Sequence, residues 1–395
     1  MNVQRISKKT KSNLVIFIAI ISLVLVKCID PYSIGESESS NLLTIDASLI
    51  KNCDTQRVVI SRSLGLGEKT PDFVNGFTVY VEDEAGNKEY YTPVSDGVYE
   101  AVIDDAFLVI GNSYRLIAEN SAGEVYQSDY EIITECPPVD SIYTGVEEYY
   151  SYTTGDINKA LQFYIDIEAK DYDTKYYRWT IKEDWEYKVP YYYTGYWSQD
   201  TLFISKDANI DSLRTCYNHG TVQGLYSSST DNLTLNQKKK IPLNYLFQGN
   251  VKVSSRYSIL VSQYSLTDKA YSYWQQKKVE IQESDGLFST QPSQPQSNIH
   301  NTSDSKEIVL GYFWAGSKTE KRVFYNTGFG KAEYGTCEKD TIESFVPENP
   351  GDEFWYYFYV VVDANYDTTY ITSDDKCFDC RMHGGTLTPP EFWKD

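Results

Sequence analysis

Three histidines and two methionines in 395 residues leave little material for the commonest site chemistry. His219, His300 and His383 stand far apart, with no His-Glu-x-x-His zinc helix and no nucleophile elbow around a serine. No Gly-rich phosphate loop of either standard spacing occurs, so no nucleotide cofactor is expected. Basic residues are scarce as well, 36 against 56 acidic, for a net charge of -20. Residues 1–27 hold five of the basic ones and no acid, so the remainder carries 31 against 56, or -25. Such a chain lacks the Lys/Arg footprint that neutralises phosphates, and nucleic acid is excluded as a partner. Long apolar runs are missing too. The longest, Leu14–Val26, is 13 residues interrupted only by Ser22, well short of the ~20 a spanning helix needs.

That short run has a different meaning. It follows the basic stretch Met1–Lys11 and ends just before Cys28, the order of a secretory signal and its processing site. Leu25-Val26-Lys27-Cys28 looks like a bacterial lipobox, with Lys27 where a small residue is usual. Cys28 is therefore expected to be acylated and to become the first residue, held in a membrane by several acyl chains without a spanning helix. Residues 29–40 are mostly polar and read as the rest of a tether, 28–40, that stands the folded part off the bilayer. Six cysteines remain: Cys53, Cys136, Cys216, Cys337, Cys377 and Cys380. An even number in an exported chain predicts three disulfides. Cys53 with Cys136 is the favoured pair, since the two bracket one domain; the other four leave three connectivities open.

From Leu42 to Tyr130 seven short β-rich runs alternate with turns at Glu84–Asn87, Ser95–Gly97 and Asn120–Gly123. They predict an N-terminal β-sandwich, immunoglobulin-like or transthyretin-like, over 41–136. Cys136-Pro137-Pro138-Val139-Asp140 breaks strand pairing and marks a boundary. Beyond it, Leu161–Ile167, Tyr176–Ile181, Arg256–Gln263, Ile308–Trp314, Arg322–Tyr325 and Phe354–Val362 predict a larger β-rich domain over 137–395. One packed helix is expected there: Ser265 or Thr267 caps it, and Ala270, Tyr271, Trp274 and Ile281 recur at helical spacing. Residues Gln291–Ser305, rich in Ser, Pro, Gln and Asn, read as a loop. The chain is expected to be all-β.

Chemistry is thin in this framework. Asp171-Tyr172-Asp173 and Asp374-Asp375 lack a full calcium-loop pattern and read as solvated acidic turns, and Cys377-Phe378-Asp379-Cys380 reads as a disulfide staple, so no metal is expected. Paired carboxylates for a hydrolase are a matter of fold and cannot be picked from 56 acids. What is abundant is tyrosine, 36 in all, about twice or more the ordinary share. Tyr191, Tyr192, Tyr193, Tyr196 and Trp197 cluster around Gly195, and stand as candidate ligand contacts against the plainer role of sheet filler.

Arg256-Tyr257-Ser258-Ile259-Leu260-Val261-Ser262-Gln263-Tyr264-Ser265-Leu266, then Ala270-Tyr271 and Trp274, Gly286-Leu287-Phe288, Gln291-Pro292-Ser293, Asn298-Ile299 and Gly311-Tyr312-Phe313 form a combined pattern. With Asp30-Pro31, Val139-Asp140-Ser141-Ile142 and the ending Cys377-x-x-Cys380-Arg381, Gly384-Gly385-Thr386, Pro390 and Phe392-Trp393, it resembles an uncharacterised family of Bacteroidetes outer-membrane lipoproteins, the domain of unknown function 4249 family. The resemblance implies a lipid-anchored, surface- or periplasm-facing protein of the outer membrane, commonly encoded beside a TonB-dependent receptor, and no established activity. The expected function is a non-enzymatic, surface-exposed accessory of such a receptor, helping capture or admit a small-molecule, peptide or glycan nutrient. An adhesion or envelope-assembly module is the alternative, and a carboxylate hydrolase ranks third.

Overall fold

The computed structural model describes residues 41–64, 70–198, 201–204, 213–283, 296–326, 328–330, 337–342, 355–362 and 367–393. The expected signal, Cys28 and the tether lie outside them. Among the described residues the chain is all-β with one α-helix, α1 (Asp268–Glu283). No helix among them is long and apolar enough to cross a membrane.

The strand Leu43–Lys51 illustrates how alternation sets the layers. Leu43, Ile45, Ala47 and Leu49 are buried while the residues between them are not, so one face is committed to a core. This strand pairs antiparallel with Gln56–Arg62 and parallel with the first half of Leu310–Tyr325, from Thr44 opposite Leu310 to Lys51 opposite Ser317. From Lys318 onward the same 16-residue strand pairs antiparallel with Tyr257–Leu266 instead. One strand thus belongs to both halves of the molecule. It fuses them into a single nine-stranded sheet.

Two smaller sheets cover one face of that long sheet. Phe313 and Ala315 pack with Ile45, Leu49, Val58 and Ile60 against a six-stranded sheet that contributes Val79, Val81, Leu116 and Ala118. Val323 and Tyr325, on the same side of the strand, meet a core of Trp179, Ile181, Ile259 and Val261 closed by the three-stranded sheet Ile142–Tyr150, Ile157–Glu168 and Gln237–Phe247. Tyr312 and Trp314 point the other way, where α1 buries Ala270 and Tyr273 against them with Ile50 and Leu266. Thr267 caps α1, its Oγ1 accepting from Ala270 N–H at 3.2 Å. Beneath the helix the Arg178 guanidinium lies 4.1 Å from the Trp274 ring.

Several expectations are corrected here. Ile308–Trp314 and Arg322–Tyr325 are not two strands but parts of one, because Lys318–Lys321 continue the ladder despite their charge. The loop expected over Gln291–Ser305 contains a strand, Ile299–Asn301, on the edge of the six-stranded sheet beside Val125–Ser128. The first sandwich therefore takes Ile299–Asn301 and Leu310–Ser317 from beyond residue 137.

The disulfides are Cys216–Cys380 and Cys337–Cys377. The first ties the C-terminal segment to the strand Thr215–Ser229, and the second ties it to Cys337, just before the edge strand Asp340–Thr341 of a further five-stranded sheet. The favoured pair Cys53–Cys136 does not form. Cys53 packs with Tyr264 and Trp314 on the helix face of the long sheet. Cys136 lies against Gln263 and Thr319, which point to the opposite face, so the sheet separates the two thiols.

Candidate functional site

The chain crosses from the first sandwich to the second through Thr134–Pro137, laid on the sheet between the two cores. Proline carries no N–H and the strands beneath already spend theirs, so side chains bind this segment. Thr134 O accepts from Ser265 Oγ at 2.7 Å and Ser317 Oγ at 2.8 Å. Cys136 N–H donates to Ser317 Oγ at 2.7 Å, and Pro137 O accepts from Gln263 Nε2 at 2.9 Å and Thr319 Oγ1 at 2.8 Å. Gln263 Oε1 in turn accepts from Trp179 Nε1 at 2.9 Å. Burial pushes the Cys136 thiol up to about 11, which leaves it protonated and inert at neutral pH.

Beside this crossing opens a cleft of about 470 Å³, within the range of small-ligand pockets. Three separate segments build it. Ile132, Ile133, Thr134 and Glu135 come from the end of the first sandwich, and Ile110 and Gly111 from the turn beside them. Asp171–Tyr176 enters from the second sandwich, and Leu266, Thr267 and Asp268 form the start of α1. The floor is apolar, with Ile133 and Leu266 fully buried. The rim is acidic: Glu135, Asp171, Asp173 and Asp268 are exposed, and none has a Lys or Arg ion pair among the described residues. Tyr172 and Tyr176 supply aromatic wall. Burial, then the charges of Asp268 and Asp231, push the Tyr176 phenol up to about 12.

Glu131 stands behind the cleft and is 2% exposed. It accepts from Thr267 Oγ1 at 2.7 Å on one side and from Tyr312 OH at 2.7 Å on the other. Thr267 lines the cleft, while Tyr312 lines a second cavity of about 280 Å³ around the start of α1. The other buried carboxylates have cationic partners: Asp166 with Lys239, Glu183 with Lys252, Asp184 with Arg322 and Asp379 with Arg381. Glu131 has only neutral donors, and burial raises its carboxyl above the usual range. The arrangement offers shape, apolar floor and negative charge. It offers no activated nucleophile.

The candidate aromatic segment lies elsewhere. Tyr191 is half-buried, its OH donating to Cys337 O at 2.7 Å and its ring 5.6 Å from both Tyr359 and Phe378. Tyr193 packs into the same cluster, beneath the disulfide-tied loop. Tyr192 is 46% exposed and flanks Tyr359. Tyr196 and Trp197 sit on the strand Gly195–Ser198, with side chains outside the described residues. Asp374 accepts from Lys376 N–H at 3.2 Å and forms an ion pair with the same lysine. Among the described residues no group of three or more His, Cys, Asp or Glu is arranged to hold a metal.

The pattern residues have structural partners. Asn298, 8% exposed, clasps Phe313 by both backbone groups, accepting from its N–H at 2.9 Å and donating to its carbonyl at 2.8 Å. Arg256 donates to Asn326 Oδ1 at 2.9 Å and stacks over Phe324 and Trp393. Sequence reasoning missed Glu131, Ile133, Tyr172, Tyr176 and Thr267 as site residues, and no local motif joins them. Only the fold brings positions 110, 131–135, 171–176 and 266–268 together. The family described as Domain of unknown function (DUF4249) matches residues 29–322. No curated protein matches the chain.

Proposed function

Because the chain belongs to the DUF4249 family, a domain of unknown function whose membership assigns no chemistry, we propose a role that rests on its N-terminal residues together with the family resemblance: a lipid-anchored, non-enzymatic accessory at the outer-membrane surface. In that role it docks on a TonB-dependent receptor and helps capture or admit a nutrient. The observation that carries the reading is the order basic stretch, 13-residue apolar run, Cys28, followed by a polar tether. Two features of the folded part support it. The cleft beside Thr134–Pro137 has the volume and mixed lining of a ligand site without catalytic groups.

The second feature is where exposed apolar side chains collect. Val146, Tyr150, Tyr152 and Ile157 are 56–94% exposed on one hairpin of the three-stranded sheet. That hairpin sits by Gln248–Gly249 and Phe329, at the Tyr325 end of the long strand, while the tether enters at Asn41 near the Leu310 end. Sixteen residues at ~3.3 Å each place the two about 50 Å apart. An apolar patch at the end of the folded part opposite Asn41 suits a protein partner.

Co-purification of the native protein from detergent-solubilised outer membrane tests the reading. A β-barrel receptor in the complex is expected, and its absence counts against the role. The same hairpin also fits an adhesion or envelope-assembly module. Deletion that impairs attachment or envelope integrity while uptake is unchanged would select that second reading.

A further inference from the structure

We infer that the cleft between the two sandwiches and the start of α1 binds a cationic ligand with an apolar body, of about di- or tripeptide size. This deepens the capture role proposed above, since it names the class of ligand. It is nevertheless tested without any receptor. Size follows from the cavity: about 470 Å³ accommodates roughly twenty to thirty heavy atoms, the scale of a di- or tripeptide.

Polarity follows from the lining. Ile110 and Ile132, 43% and 39% exposed, give the lining apolar surface that gains from covering, and Tyr172 and Tyr176 add aromatic side chains to the wall. Asp171, Asp173, Glu135 and Asp268 rim the opening against one basic residue, Lys175. Because those carboxylates have no Lys or Arg ion pairs of their own, an incoming ammonium or guanidinium displaces no internal salt bridge. The Tyr176 phenol is pushed up to about 12 by burial and, after it, by the negative charges of Asp268 and Asp231. Thr134, also on the lining, has a buried Oγ1 with no hydrogen-bond partner. An anionic ligand would meet like charge on three sides.

The test is calorimetric titration of the detergent-solubilised full chain with the tripeptide Lys-Tyr-Lys, its form with every amine acetylated, and Glu-Tyr-Glu. Binding of the first alone is expected. The double substitution Asp171→Asn, Asp173→Asn should weaken it about tenfold, the loss of two partly solvated charge contacts. The paired substitution Glu84→Gln, Glu119→Gln, on exposed acids of the first sandwich, should leave it unchanged. Thermal unfolding of each variant verifies the fold. No binding of Lys-Tyr-Lys overturns the inference, as does equal binding of the acetylated peptide. Equal weakening by the two acid pairs does the same, because diffuse attraction to a chain of net charge -20 would then suffice. Receptor co-purification is unaffected by these outcomes, so the two claims fail separately.

Discussion

Gly311 marks where the strand shared by both sandwiches starts its parallel pairing, and replacing it with alanine tests that arrangement. Its φ is +93°, a region that side chains rarely adopt. A Cβ there would lie 2.1 Å from the Ile45 carbonyl oxygen and 2.6 Å from its carbon. Ile45 cannot retreat, since Ile60 pairs with it from the other side. Two costs combine: backbone strain of about 1–2 kcal/mol, and steric displacement of a pinned strand of about 1–3 kcal/mol. Gly311→Ala should therefore cost about 2–5 kcal/mol. Gly86 provides the control, with φ of +84° and nothing within 4 Å of an added Cβ. Gly86→Ala carries the strain alone, about 1–2 kcal/mol. Urea unfolding followed by tryptophan fluorescence and by far-ultraviolet circular dichroism measures both. The two probes should give one coincident transition, since the shared strand couples the cores. Equal losses for the two variants would refute the close approach at Ile45.

Asn298→Ala removes both hydrogen bonds to the Phe313 backbone and leaves buried groups unpaired, so a loss of about 2–3 kcal/mol is expected by the same denaturation assay. Non-reducing peptide mapping should find Cys216 joined to Cys380 and Cys337 to Cys377, with Cys53 and Cys136 as thiols. Opening the Cys337–Cys377 bond, which closes a 40-residue separation, should cost about 4 kcal/mol in the chain-entropy account. Burial holds the Glu131 carboxyl above its usual 4.5 in the folded state, so the native form keeps that proton more tightly than the unfolded chain. Its contribution to stability is present below pH 4.5 and falls as pH rises through the folded value. Glu131→Gln should flatten that part of the stability profile, measured by urea midpoints across the pH range; an unchanged slope would contradict the assignment.

Much of the fold was legible because alternation survives in the strands that face a core. Leu43–Lys51 and Phe77–Asp83 each show it, and α1 follows from its cap and from Ala270, Tyr271 and Trp274. Other strands gave no such signal. Gln237–Phe247 has three lysines directly after Gln237 and contains Pro242, yet it pairs along Ile157–Glu168 as an edge strand, where a missing N–H costs little. Thr215–Ser229 contains Asn218-His219-Gly220, which reads as a turn, but ladder pairing with Tyr176–Lys188 overrides it. The strand shared by the two sandwiches was hidden because Lys318, Glu320 and Lys321 interrupt its apolar pattern. The cleft was not legible at all. Its walls come from segments as far apart as Ile110 and Asp268, and Thr134–Pro137 is placed by hydrogen bonds to Ser265, Ser317 and Gln263 that no local pattern encodes. Cysteine pairing followed the sheet rather than the domain order: adjacent residues of one strand sent Cys53 and Cys136 to opposite faces.

The proposed surface-capture role rests on anchorage at Cys28. Metabolic labelling with radioactive palmitate, comparing the natural chain with Cys28→Ala, tests it most directly. Label on the natural chain, lost in the variant together with membrane retention, is the predicted result. A natural chain that stays unlabelled would contradict the account.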